Sequence, residues 1–397
     1  LTGAIDDGFL PCNITKTGFG PLEMRAASTF DGTLTVNEGD LRIYHSSSLG
    51  STNGNTVING SAGGRLYLYG NLTIAEPLLL NGERNSGGTL IVGTGSNVLT
   101  GPITCINQVR VQGYNGPLVI TGGVTADNNG LFVVNSGSVI TFRNKPLNLG
   151  TRTFWQDSDG VSVLAVAGNI WGDTVCAGGG IRCEVPNALP PTAPLRLGIG
   201  SYRPDGVLNL NGYDQTVGRL SIGASLPGTR IVTSATPALL TVNQSDSSLS
   251  DARFTGAVSL LKLGAGNLTL TNAASSTAGN FAVSNGTLTV ARDGTFGPNC
   301  PGVFVGGTGT LLLSNSVAIA NSAAVWMPPA GTATAKINLA QAVDEKVGWL
   351  FFGDKMMRVG TYGSTASNAA NKDNTHFAGS GMLTVLRDNS GTMLSIR

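Results

Sequence analysis

Apolar and polar residues alternate with a period of two over short runs along almost the whole 397-residue chain, and Gly, Asn and Asp punctuate the runs. Alternation of this kind predicts short β-strands with one buried face, and the punctuation predicts tight turns. No segment sustains a 3.6-residue period. One fragment, INLAQAVDEKVGWLFF (337–352), suits a helix, but its Val, Gly and aromatic residues suit strands equally well.

The strands also repeat. KTGFGPL followed by DGTLTV runs from Lys16 to Val36, and KLGAGNL followed by NGTLTV runs from Lys262 to Val290. Each copy reads Lys-x-Gly-x-Gly-x-Leu, a variable stretch, then Asx-Gly-Thr-Leu-Thr-Val. Gly18, Gly20, Gly264 and Gly266 are the expected turn positions, and one copy predicts a β-arch. Looser versions include GGRLYLYGNLTI (63–74), GGTLIV (87–92), NGPLVI (115–120) and GTGTLLL (307–313). Short strands with such spacing predict a β-solenoid, in which each coil buries its face only against its neighbours. Corners of stacked coils need positive φ, which Gly and Asn tolerate, and stacked Asn side chains form ladders.

The rhythm divides the chain. Residues 1–150 and 206–330 read as β-helix rungs. Residues 151–205 break the pattern with FWQDSDG, two cysteines and PNALPPTAPLRLG, and are expected to form an insertion or an arm. Pro328, Pro329 and Gly331 mark a boundary before a small C-terminal β module, 331–397.

LNLNGYDQTVGRLSI (208–222), LLTVNQ (239–244), SLLKLGAGNLTL (259–270) and NGTLTV follow in an order that resembles the autotransporter-associated β-strand repeat. NLTIAEPLLLNG (71–82) with GGTLIV is similar, and FFGDKMMRVGTYGS (351–364) with HFAGSGMLTV (376–385) looks like the terminal module of such proteins. The resemblance implies a right-handed parallel β-helix, extracellular or on a cell surface, and it implies no particular activity. The last module lacks the serial amphipathic strands of a membrane-barrel translocator. A processed passenger or an independently exported relative is therefore expected.

Composition narrows the function. Gly, at 57 residues, is about twice its usual share, and charged residues, at 12%, are about half of theirs. A net charge of +1 with no basic cluster gives no footprint for nucleic acid. No apolar run approaches the ~20 residues of a spanning helix, so membrane insertion is not expected. The chain starts at Leu1 without Met or a signal-like segment, which predicts a mature product after removal of an export signal.

The cysteines show no Cys-x-x-Cys spacing for zinc or redox chemistry. Cys176 and Cys183 flank the loop AGGGIR and are expected to close it as a disulfide. Cys105, within ITCINQVRV, is expected to be a buried thiol. Cys12 and Cys300 are candidates for a crosslink between subunits.

Catalysis on a β-helix needs carboxylates from adjacent rungs. Asp6 with Asp7, Asp157 with Asp159, and Asp344 with Glu345 are near neighbours in sequence instead, and solvated turns are the favoured reading. Asp157 and Asp159, close to Trp155, form the best sugar or calcium candidate, with Trp171 as a further glycan contact. His45 and His376 lack neighbours at metal spacing, and no motif implies a cofactor.

A solenoid exposes unpaired backbone groups at its first and last rungs. Neither the N-terminal segment nor the C-terminal strand, Thr392 to Arg397, shows a capping helix. The leading expectation is a non-enzymatic extracellular structural protein whose partners are copies of itself, joined head to tail in a filament or surface layer. A monomeric adhesin binding extracellular polysaccharide is the first alternative, and a polysaccharide lyase or hydrolase is the second.

Overall fold

A computed structural model describes residues 1–397 apart from 9, 84–86, 128–129, 200–202, 224–227 and 390–397. The expected last strand, Thr392 to Arg397, lies outside the described residues. The chain forms two compact units, Leu1–Asn209 with Gly223–Gly228, and Leu210–Ile222 with Thr229–Arg397. Both are built from stacked parallel strands, and no α-helix occurs among the described residues. The all-β solenoid read from the alternation is the fold.

In the first unit the strands fall on three faces. The first face is a 7-stranded sheet running from Ile14–Lys16 to Leu147–Asn148. The second includes Leu22–Met24, Gly39–Ile43, Gly64–Tyr69, Val109–Gly113, Thr153–Asp157 and Asp173–Ala177. The third includes Asn97–Leu99, Val139–Arg143, Val161–Ala165 and Gly180–Cys183. Leu34 lies opposite Thr56, Leu78 opposite Ile103 and Ile103 opposite Val124, so a rung takes about 21 to 25 residues.

Register turns alternation into a core. Leu34, Thr56, Leu78, Ile103, Val124 and Leu147 form one buried column on the first face. In the second unit Leu268, Leu288, Leu311, Ile337 and Phe377 do the same along a 6-stranded sheet. Burial of each aliphatic or aromatic side chain in these columns contributes roughly 1.5–3 kcal/mol. Rings fill the wider places: Phe154 stacks on Trp171 at 4.9 Å, and Phe281 on Phe296 at 4.2 Å.

Outside the core, Asn side chains form the ladder that stacked corners favour. Asn59 Nδ2 donates to Asn37 Oδ1 at 2.6 Å, Asn81 to Asn59 at 3.2 Å and Asn107 to Asn81 at 2.9 Å.

The stretch 151–205 differs from the expected arm. Thr153–Asp157, Val161–Ala165, Asp173–Ala177, Gly180–Cys183 and Pro194–Leu197 pair in register on the second and third faces. The first face narrows beyond Leu147–Asn148 to a single parallel bridge from Asn148 to Ile170. Asn169 beside it accepts the Leu147 N–H at 2.8 Å and donates to Ala188 O at 2.8 Å. The ambiguous fragment 337–352 resolves into strands Lys336–Leu339, Asp344–Val347 and Trp349–Phe352. In the last module parallel order gives way: Lys355–Met356 pairs antiparallel with Trp349–Phe352, and a 4-stranded sheet holds Gly360–Gly363 antiparallel to Met382–Val385.

The repeat glycines serve two different needs. Gly18 and Gly264 adopt φ of +77° and +74°, a left-handed turn conformation costly for other residues. A Cβ on Gly264 would also meet Gln244 O at 2.3 Å and one on Gly266 would meet Asp246 O at 2.0 Å, whereas Gly18 and Gly20 have nothing within 4 Å. Replacing Gly18 by Ala should therefore cost only the turn strain, about 1–2 kcal/mol. Gly264→Ala should cost clearly more, because the rung beneath must shift. Urea unfolding of the two variants checks this, and equal losses would rule out the rung contact as the reason for Gly264.

Candidate functional site

At each arch the chain reverses sharply, and turn carbonyls face one another across the bend with no strand to pair them. The lysine that opens each repeat answers them. Lys16, 7% exposed, donates from Nζ to Gly18 O at 2.8 Å and Glu38 O at 2.7 Å. Lys262, fully enclosed, donates to Leu263 O at 2.6 Å, Gly264 O at 2.7 Å and Asn285 O at 3.5 Å. An ammonium on a flexible stem offers three donors, enough for the carbonyls of its own turn and of the next rung. Burial lowers both ammonium groups, Lys262 to about 8, with Asp40 and Glu38 acting in the opposite direction on Lys16. Neutral amides do the same at other corners. Gln156 Nε2 donates to Asp157 O, Ser158 O and Gly160 O at 3.2–3.3 Å, and Gln244 Nε2 to Asp246 O at 3.0 Å and Asn267 O at 2.8 Å.

The second face of the first unit carries the densest set of charges. Arg110 donates from Nε to Glu83 at 2.8 Å and from Nη1 to Asp157 at 3.0 Å. Arg203 lies 3.4 Å from Asp157 and 3.2 Å from Asp159. Glu83 and Asp157 come from different rungs, but several rungs apart rather than on the adjacent rungs that a solenoid active site needs. Both are consumed by arginine, and their side chains are only 7% and 16% exposed. Asp157 and Asp159 thus share a guanidinium rather than opening a joint sugar or calcium site. No group of three or more His, Cys, Asp or Glu side chains suited to a metal occurs among the described residues.

Trp155 lies half-buried on the outer side of its strand, between Val133 and Val175 in register, and its Nε1 is enclosed without a hydrogen-bond partner. Trp171 does not face a ligand. It is 3% exposed, stacked on Phe154, and donates from Nε1 to Thr174 Oγ1 at 2.7 Å. The disulfide expected between Cys176 and Cys183 is not formed. Both are free, buried thiols on neighbouring strands, and burial pushes each up to about 12. Cys300 is 1% exposed with its thiol pushed up to about 11, so of the two expected crosslinking residues only Cys12 is exposed. Enclosure by the packed rung, which sequence spacing does not report, is the reason in both cases. Cys105 is enclosed as well.

The sequence reading missed a stripe of arginine and tyrosine on the same second face. Arg25 lies 3.9 Å over Tyr44, which stacks on Tyr69 at 5.0 Å, and Arg42 lies over Tyr67. The signal was present in RIYH (42–45) and RLYLY (65–69), where alternation sends Arg and Tyr to the outer side together.

Two acids are buried. Glu76, 4% exposed, has both carboxyl oxygens enclosed without a partner, and burial alone pushes it up to about 7. Glu345, fully enclosed, accepts the Ala318 and Ile319 N–H groups at 3.0 and 3.1 Å. Burial still raises it to about 7, with Asp344 adding to the rise and the N–H groups opposing it.

Arg110 holds two carboxylates that its loss would leave unpaired in a shielded place. Arg110→Met should therefore cost about 3–5 kcal/mol. Arg25→Met, removing a pair whose side chains are 48% and 34% exposed, should cost under about 1 kcal/mol. Equilibrium denaturation separates the two, and similar losses would show that the Arg110 network is not shielded. A second expectation concerns pH. Unfolded Glu76 gives up its proton near 4.5 and folded Glu76 near 7, so the stability tied to its neutral form is complete below about 4.5 and is lost as pH rises to about 7. That difference corresponds to about 3 kcal/mol. Glu76→Gln should flatten the fall in melting temperature between pH 4.5 and 8, and an unchanged pH profile would remove Glu76 as its source.

Two stretches, residues 14–43 and 260–290, match the passenger-associated-transport-repeat family. They coincide with the two arches closed by Lys16 and Lys262, and the solenoid is of the kind found in autotransporter passengers. No curated protein and no solved structure matches the chain.

Proposed function

We propose that this chain is a non-enzymatic structural passenger, exported and then displayed on or released from a bacterial cell, where its solenoids act as a shaft. The observation that carries the reading is the use of charge in the two passenger repeats. Their lysines point inward and serve the arch, and the carboxylates of the second face are held by Arg110 and Arg203. A chain that spends its few ionised groups on corners and clamps is organised for rigidity rather than for proton transfer.

Self-assembly into a filament or layer by end-to-end strand pairing is the second reading, and the edge at Ile14–Lys16 favours it. Among the described residues that strand is paired on one side only. Ile14 N–H donates to Thr33 O at 2.9 Å and Lys16 O accepts from Asn37 N–H at 3.0 Å, which turns the Thr15 N–H and C=O toward the open edge. In the second unit the short, charged Lys355–Met356 strand blunts the sheet edge beyond Trp349–Phe352, a device that discourages further pairing.

The test uses the full chain. Incubated with neutral and acidic polysaccharides, it should release no reducing ends and no unsaturated products. Turnover that disappears in Asp157→Asn would overturn the non-enzymatic reading. Light scattering and negative-stain microscopy of the same preparation should show association that Thr15→Pro weakens, and particles that stay monomeric at all concentrations would dismiss assembly.

A further inference from the structure

A second aromatic feature, on the outer side of the second unit, has the geometry of a ligand platform. Phe304, Trp326 and Phe351 occupy one register column on successive rungs. Their rings stack nearly parallel, at 4.5 Å and 7° for the first pair and 5.5 Å and 11° for the second. Rings in the middle of such a stack show solvent only their edges. Phe304 ends it and is 39% exposed. On the next rung down its register partner is Ala282, and below that Leu261. Both point outward, because Phe281 and Val283 on the one strand and Leu260 and Lys262 on the other are the buried positions.

The column thus runs Leu261, Ala282, Phe304, with a methyl group between two large side chains. Two rung spacings of about 4.8 Å each separate Leu261 from Phe304. A flat ring in contact with both needs about 3.5–4 Å on each side, which that spacing accommodates. The flanking outward positions are Asn280 and Ser284, and Lys262, the charged residue next to Leu261, is turned inward. An exposed aromatic face, a one-ring step beside it and uncharged hydrogen-bonding side chains on either hand suit a sugar ring. A pyranose offers an apolar C–H face to stack on an aromatic ring and a rim of hydroxyls for amide and hydroxyl partners. A hydrophobic side chain would instead want an enclosed apolar pocket, and an ionic ligand would want a countercharge.

We infer that the step at Ala282, walled by Phe304 and Leu261, is a binding site for one pyranose ring of an uncharged, equatorially linked polysaccharide, seated in line with the aromatic ladder. This goes beyond the shaft reading and does not depend on self-assembly. Cellohexaose and chitohexaose are suitable probes. Titration calorimetry on the full chain should detect binding of at least one, accompanied by a change in Trp326 fluorescence. Phe304→Ala should weaken that binding by about tenfold or more. Ala282→Phe should abolish it by placing a ring of the chain's own in the step, while leaving the melting temperature unchanged or raised. Failure of the unmodified chain to bind either oligosaccharide would overturn the site, as would equal binding by a folded Ala282→Phe. Loss of self-association in Ala282→Phe without any sugar binding would reassign the face to contacts between copies and overturn it equally.

Discussion

The parallel hydrogen-bond ladder between successive rungs is the constraint on which everything else rests. It fixes the distance between coils, stacks each residue on its register partners and makes any side chain between coils answerable to the carbonyls of the rung below. Leucine columns are the simple consequence. Corners are the difficult one, since a chain that reverses direction inside a shielded stack turns polar backbone groups where no strand can meet them. Lys16, Lys262, Gln156 and Gln244 supply the missing donors, and the asparagine ladder from Asn37 to Asn107 links successive rungs side chain to side chain.

This explains how a chain with so few charged residues uses them. Arg152, enclosed on the first unit's axis of stacking, donates to Cys105 O, Asn107 O and Asp127 O, three carbonyls from lower rungs. Arg110 and Arg203 clamp Glu83, Asp157 and Asp159 across others. These clamps and corner donors are the features on which the structural reading rests. Glu76 and Glu345 are acids held away from water and tie stability to pH.

Legibility in the sequence followed the range of the interaction. Local features read directly: alternation named the strands, and Lys-x-Gly-x-Gly named the arches with Gly18 and Gly264 at their left-handed positions. The stretch 151–205 misled because prolines and cysteines signal irregularity. The strands between them still pair on the second and third faces, and the first face persists as one bridge at Ile170. The tryptophans misled for a related reason. Trp155 and Trp171 look equally suited to sugars, but burial of one and half-burial of the other depend on which rungs lie above and below.

By itself the sequence determined the solenoid and its likeness to passenger repeats, because both are written in a period-two alternation and a motif of about 20 to 30 residues that occurs twice. Only the tertiary structure decided what the charged and aromatic residues do. Residues 22 to 47 positions apart become neighbours through the stacking of rungs, as Lys16 meets Glu38 and Arg110 meets Asp157. The rung length varies by several residues from coil to coil, and that variation sets which side chains coincide. An arginine clamp or a stacked column of Phe304, Trp326 and Phe351 is therefore a product of register, which no local pattern records.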